Sequence, residues 1–322
     1  MVSGQSLLDF RQLIEANFGA PTLRCWRFFI FMTLELKSHC KVNFLLNILG
    51  KRPDGFHELE TLMHPVALHD FLKFERAGSG VQLTCSDPVL PTDSSNLVYR
   101  AADAFLQAAG GSEGVRIHLE KKIPMAAGLG GGSGNAAITL LGLNQIFRSP
   151  LSEKQLAELA AALGSDIPFF LQNKPALATG RGEKISPLNF FPALHGHYIL
   201  LVHPGFGIST PWAYQQLSRF STALNGKPGR ADKLSSFLRF GDLSVAACEF
   251  YNSLEAPALY KYPLLTLFQE FFRDNGAPVA LMSGSGSATF ALIRGEQRAE
   301  EILERFKGQF GDSLWTAIAA LE

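Results

Sequence analysis

Charge is scarce in this 322-residue chain, where 18% of residues are Asp, Glu, Lys or Arg, against roughly 25% in an average soluble domain. The 29 basic and 29 acidic residues cancel, so no field of one sign is available to hold a nucleic-acid backbone or an anionic membrane, and neither partner is expected. Any anion site must be local. Cysteine is sparse as well. Cys25, Cys40, Cys85 and Cys248 stand far apart with no C-x-x-C pair, which indicates neither a zinc site nor a disulfide framework and fits a reducing compartment. Long apolar runs are missing, since stretches such as Phe28 to Met32 and Ile199 to Val202 fall far short of the roughly 18 residues that suggest a membrane span. The first ten residues lack the basic and apolar regions of a secretory signal, so a cytoplasmic location is expected.

What is present is a large apolar complement, 47% of the chain including 26 Phe, which excludes a disordered polymer. The length is about twice the ~150-residue domain prior, so two domains or one large one are expected. Residues 1 to 31 differ from the rest: Leu7, Leu8, Phe10, Leu13, Ile14 and Phe18 are roughly helix-spaced, but the segment joins none of the patterns below. A strand pattern begins at Met32. From His39 to Asn47 the alternation puts His39, Lys41 and Asn43 on one face and Cys40, Val42, Phe44, Leu46 and Ile48 on the other. A turn is predicted at Lys51 to Gly55, then an extended segment through Phe56, His57, Glu58 and Leu59.

Further on, a helix is predicted over Leu97 to Ala108 and a strand over Val115 to Glu120. The strand feeds a glycine loop, Pro124 to Gly134, read as irregular throughout, with a helix from Asn135 to Phe147. Ser152 and Gln155 form a capping box ahead of the stripe Leu156, Leu159, Ala160 and Leu163, with Gly164 as the stop and a second cap-like start at Ser165 to Pro168. Tyr198 to Val202 and Val279 to Met282 read as apolar strands, each ending in a small-residue loop.

Glycines between a strand and a helix let backbone N–H groups approach an anion, and the helix N-terminus adds partial positive charge, so phosphate is the natural guest. No Lys follows these glycines as a Walker A loop requires. The dinucleotide pattern also fits poorly, because Ser133 takes its third glycine position and a helix follows where a strand should come. Asp166 reads either as a helix cap or as a catalytic carboxylate, and Lys41 either as the solvent face of an edge strand or as a cation at a moving phosphate. Asp54 to His57 reads either as a hairpin turn with an exposed His or as an aromatic and a His that stack on and hydrogen-bond a ring.

In this order, Lys41-Val-Asn43, Asp54-Gly-Phe56-His57, the loop Pro-x-x-x-Gly-Leu-Gly-Gly-Gly-Ser over Pro124 to Ser133, Gly164-Ser-Asp166-Ile-Pro168, Ser209-Thr210-Pro211 and Ser283-Gly-Ser-Gly286 resemble the superfamily named after galactokinase, homoserine kinase, mevalonate kinase and phosphomevalonate kinase (GHMP). The resemblance covers about residues 32 to 322. It implies an α+β, two-domain GHMP kinase fold: an extension at 1–31, a ribosomal S5-like N-terminal domain at 32–188 with the ATP loop, and a ferredoxin-like C-terminal domain at 189–322. The segment Asp54 to His57 resembles the branch that phosphorylates a small alcohol carrying a cytidine diphosphate group, for isoprenoid precursors. Other GHMP alcohol kinases, or a paralogue that binds nucleotide without catalysis, are the alternatives.

The same resemblance implies roles. Asp166 would receive the proton of the substrate hydroxyl, and Lys41 would stabilise charge at the transferred phosphate. Pro124, Met125, Ala126, Ala127, Gly128, Leu129, Gly130, Gly131, Gly132, Ser133 and Gly134 would bind ATP. Asn43, Phe56, His57, Thr210 and Tyr214 would bind the substrate, with Phe56, His57 and Tyr214 framing the cytosine. Mg²⁺ would accompany the ATP phosphates, with no dedicated cluster of protein ligands. Ala126 and Ala127 stand where glycines are common, Gly134 where a second Ser is usual, and Phe56 where Tyr is commoner.

Overall fold

The computed structural model describes residues 33–110 and 113–321. The proposed extension therefore lies outside the described residues. Two long strands, β1 (Leu34–Lys51) and β2 (His57–Ala77), form an antiparallel ribbon around which the first sheet is built. Its turn closes where Arg52 N donates to Phe56 O at 2.8 Å and Gly55 takes φ +86°, a conformation that favours glycine. The sheet runs β3 (Val81–Cys85), β4 (Gly114–Glu120), β2, β1 and β8 (Tyr251–Asn252), with β5 (Ala176–Gly180) and β6 (Lys184–Pro187) continuing from β2. Helices α1 (Leu97–Ala109), α2 (Gly131–Ile146) and α3 (Glu153–Leu163) cover one face through Phe74, Phe105, Leu140 and Leu156.

The second sheet is antiparallel, in the order β11 (Trp315–Leu321), β7 (His197–His203), β10 (Thr289–Arg294), β9 (Val279–Met282). In chain order that is 4-1-3-2, with helices between the first and second and between the third and fourth strands, the ferredoxin-like arrangement. Helices α4 (Thr210–Gln216), α5 (Arg230–Phe240), α6 (Glu255–Lys261), α7 (Leu264–Asp274) and α8 (Glu296–Phe310) belong to this half. Phenylalanines fill the core of this half: Phe268, Phe272 and Phe306 are fully buried, with Phe272 and Phe306 stacked at 5.3 Å. A third apolar cluster joins Val42, Phe44 and Leu62 of the first sheet to Leu201, Phe290 and Leu321 of the second, so the two sheets share a core.

The glycine loop departs from the expectation of irregular structure throughout. Helix α2 begins at Gly131, and Gly131, Gly132, Ser133 and Gly134 are its first turn. Gly130 caps it in the left-handed region at φ +69°, and Gly134 N donates to Gly130 O at 2.8 Å. Packing explains why small residues form this turn. A Cβ on Gly134 would lie 2.8 Å from His39 O and 2.9 Å from Ser38 Oγ, so the turn can lie against β1 only with glycine at position 134. The capping box at Ser152 and Gln155 forms as expected.

Candidate active site

Lys41 lies in the middle of β1, opposite Pro65 of β2, donates its backbone N–H to Leu129 O at 2.9 Å, and is 3% exposed. The solvent-face reading is therefore excluded. Its ammonium donates to Asn43 Oδ1 at 2.6 Å and to Gly128 O at 3.1 Å, and stands 3.7 Å from Asp166 Oδ2. Burial pushes its pKa below the ordinary lysine range, while the charge of Asp166 opposes that shift. Asn43 is in turn held by donating to Thr61 Oγ1 at 2.8 Å. The alternation along β1 put Lys41 and Asn43 on one face, as found, but His39 does not join them: its ring packs against His69, centroids 4.5 Å apart.

Asp166 occupies the N-cap position of a 3₁₀ turn, Ile167–Leu171, yet makes no capping hydrogen bond. Its carboxylate faces a cavity instead, with the side chain 47% exposed. A carboxylate free of cap duty and beside an ammonium can accept a proton from a bound hydroxyl. The helix-cap reading of Asp166 is not what the geometry supports.

Three cavities adjoin one another here: the pair lines the second, which shares Ala126, Gly128 and Gly130 with the first and Asp166 with the third. The first, about 360 Å³, is lined by the loop Pro124 to Ser133, Asn96, Lys121 and Asn135. Here the first amides of α2 have no side-chain cap, which leaves the N-terminus open to an anion. Ala126, at φ +51°, holds a left-handed conformation where the GHMP pattern often has glycine. Gly134 lies behind the loop, packed on β1, and does not line the cavity. The second cavity, about 410 Å³, holds Lys41, Asn43, Asp166, Thr210 and Tyr214 together with Ala126, Gly128 and Gly130. The third, about 730 Å³, is lined by Phe56, His57, Asp166, Thr210 and Tyr214, with Lys51 and Arg181. The predicted residues other than Gly134 thus fall into one connected region, Asp166 being shared by the last two cavities.

Within it, the His57 and Tyr214 rings pack 5.1 Å apart, and Phe56, 52% exposed, lies under the Arg181 guanidinium at 4.6 Å. Burial lowers the pKa of His57, with Lys51 adding to the shift, so its ring is neutral at neutral pH. Burial raises that of Tyr214, and the Asp166 charge raises it further, so the phenol keeps its proton. Thr210 pairs with Ser285 through their hydroxyls at 2.8 Å.

Three contributors were missed by sequence reasoning. Lys121 is buried beside the first cavity in an ion pair with Asp70 at 2.5 Å; its place between a strand end and the glycine loop was the available signal. Asn252 donates to Met282 O and Gly284 O, both at 2.8 Å, and so ties the Ser283 to Gly286 loop to β8. Arg181, in the short turn between β5 and β6, reaches both of the larger cavities.

The GHMP kinases N terminal domain model matches residues 96–174, and the GHMP kinases C terminal model matches residues 231–312. A 4-diphosphocytidyl-2-C-methyl-D-erythritol kinase of Gloeobacter violaceus is 40% identical over 88% of this chain and 93% of its own length. The same-named kinase of Syntrophomonas wolfei is 38% identical over 85% of this chain and 94% of its own. The chain belongs to the GHMP kinases. Within this family it falls with the 4-diphosphocytidyl-2-C-methyl-D-erythritol kinases. A crystal structure of a 4-(cytidine 5'-diphospho)-2C-methyl-D-erythritol kinase superposes with TM-score 0.72 at 35% identity, covering 89% of this chain and 99% of that one. A homoserine kinase from Cytophaga hutchinsonii, 20% identical with TM-score 0.71 over 92% of this chain and 97% of its own, shares the GHMP kinase fold. Among the described residues no helix is long and apolar enough to cross a membrane.

Proposed function

We propose that this GHMP kinase transfers the γ-phosphoryl group of ATP to the 2-hydroxyl of 4-diphosphocytidyl-2-C-methyl-D-erythritol, a step in isoprenoid precursor synthesis. The observation that carries the reading is the Lys41–Asp166 pair, 3.7 Å apart, in a cavity that adjoins one built on an open helix N-terminus, through Ala126, Gly128 and Gly130, and another walled by aromatic rings. Phosphoryl transfer needs positioning and charge stabilisation more than covalent chemistry. The amides of Gly131, Gly132 and Ser133 suit the ATP phosphates, Lys41 the charge on the transferred group, and Asp166 the proton of the attacking hydroxyl. Asn43, hydrogen-bonded to Lys41, holds the ammonium in place, and Phe56, His57 and Tyr214 suit a pyrimidine ring.

Mg²⁺ belongs to the same proposal. Among the described residues no group of three His, Cys, Asp or Glu could hold a metal by itself, but a hard cation arriving with nucleotide phosphates needs few protein ligands. The Ser133 hydroxyl, which lines the first cavity, would supply one oxygen with water completing the shell, and the ion would neutralise phosphate charge. Two domains, 32–188 and 189–322, are proposed on the strength of the two sheets, although β8 crosses from the second segment into the first sheet. A cytoplasmic location is proposed as well, with which the free thiols of Cys40, Cys85 and Cys248 are compatible.

The test is turnover on a panel. Purified protein with ATP and Mg²⁺ is offered the cytidyl-methylerythritol, mevalonate and homoserine, and ADP release is followed. ADP formed with the cytidyl alcohol at a kcat/KM at least a hundredfold above the others is the expected result. Equal or greater turnover of either simple alcohol would overturn the substrate assignment.

A further inference from the structure

We infer that Arg181 is a specificity-determining residue that takes the negatively charged phosphate bridge of the substrate between its reacting hydroxyl and its base. This rests on the substrate reading above and names a contact within it. The second and third cavities share Leu59, Asp166, Arg181, Thr210, Pro211 and Tyr214. A substrate with its hydroxyl at Asp166 and its ring at His57 and Tyr214 must pass its diphosphate through that shared stretch. Arg181 is the cation that lines both cavities; Lys41 lines only the inner one and Lys51 only the outer one.

The turn that carries Arg181 is built to present it. Gly180 and Gly182 flank it at φ +73° and +105°, and the Glu183 carboxylate accepts from Arg181 N at 2.6 Å, closing the turn. The positive φ of Gly180 is a conformation that favours glycine. The guanidinium itself rests over the Phe56 ring and has no hydrogen-bond or ion-pair partner among the described residues, though Asp54 and Glu183 lie within its electrostatic reach. A planar fork of donors with its hydrogen bonds unmade, held on an aromatic face between a base pocket and a phosphoryl-transfer site, matches a diphosphate in both charge and geometry.

The test separates the phosphate contact from a mere effect on the Phe56 platform. Cytidine and cytidine 5'-diphosphate are measured as competitive inhibitors against the cytidyl substrate, in the parent and in Arg181→Gln and Arg181→Lys. The parent should bind the diphosphate more tightly than the nucleoside. In Arg181→Gln that preference should shrink by about tenfold to a hundredfold, the loss usual for a charge-assisted hydrogen bond, and KM for the cytidyl substrate should rise in step while KM for ATP stays near the parent value. Arg181→Lys should keep part of the preference. Equal weakening of both inhibitors, with their ratio unchanged, would mean that Arg181 only supports Phe56, and the inference would be wrong. An unchanged KM would overturn it too. If the parent itself fails to phosphorylate the cytidyl substrate, the substrate reading falls first, and the panel experiment above detects that independently.

Discussion

Lys41 places an ammonium where a chain rarely leaves one, in the buried centre of a sheet, and among the described residues the cost of that desolvation is offset by Asn43, a carbonyl and a partly exposed Asp166. Asp166→Asn is nearly isosteric but cannot accept a proton, and should lower kcat by about 10²–10⁴-fold with KM for both substrates little changed. Lys41→Met should also lower kcat strongly, and the double variant should fall short of the product of the two losses, because the groups act on the same transferred phosphate. Steady-state kinetics on the three proteins checks this; Asp166→Asn turnover within about threefold of the parent, far short of the general-base range, would remove the mechanism. His57 makes a different demand. Its neutral ring faces Tyr214, so His57→Ala should raise KM for the cytidyl substrate by about tenfold to a hundredfold, as expected for a lost hydrogen bond in a desolvated pocket. A rise confined to KM for ATP would contradict the base-binding role.

At the scale of elements, the β1–β2 ribbon and the α2 turn against it decide stability. His64 of β2 is 1% exposed, stacked on Phe44 at 5.0 Å, and burial lowers its pKa to about 4 from an ordinary 6.5. The unfolded chain therefore binds a proton at this position between pH 6.5 and about 4 that the folded chain refuses. Stability present above pH 6.5 is lost as pH falls through that window, by up to about 3 kcal/mol. His64→Phe should flatten this limb in urea titrations run at several pH values; an unchanged slope would show that other groups set it. Gly134→Ala tests the start of α2. Helix propensity alone would gain up to about 1 kcal/mol, but the new methyl would sit 2.8 Å from the His39 carbonyl oxygen, and overpacking costs about 1–3 kcal/mol. A lower urea midpoint is expected, because a backbone oxygen in a paired strand cannot swing aside.

Across the whole molecule, the site depends on loops from distant parts of the sequence lying in register. Ser283 Oγ donates to Gly128 O at 3.0 Å, Ala288 N donates to Ala127 O at 3.0 Å, and Asn252 fixes Gly284, whose backbone borders Asn43 and Lys41. Asn252→Ala would leave two buried carbonyls without their donor, at a cost of about 1–3 kcal/mol. It should lower the denaturation midpoint and also reduce kcat, since Gly284 would no longer be pinned beside Lys41. A variant destabilised but fully active at low temperature would show that the second sheet does not hold the first sheet's site.

Local patterns carried much of this information. The capping box at Ser152, the strand ending at Glu120 and the alternation joining Lys41 to Asn43 depend on neighbours a few residues apart, so they were legible in the sequence, as was the spacing of the glycine loop that aligns the chain with GHMP kinases. The first turn of α2 was not, because glycine's own preference argues against a helix and only the closeness of β1 shows why Gly134 belongs in it. Likewise the sequence left Asp166 as cap or base and Lys41 as surface or site. Burial and distance decide between those roles, and both arise when segments more than a hundred residues apart come to share one cavity, with Arg181 and Asn252 brought in by turns and strands that no local pattern marks.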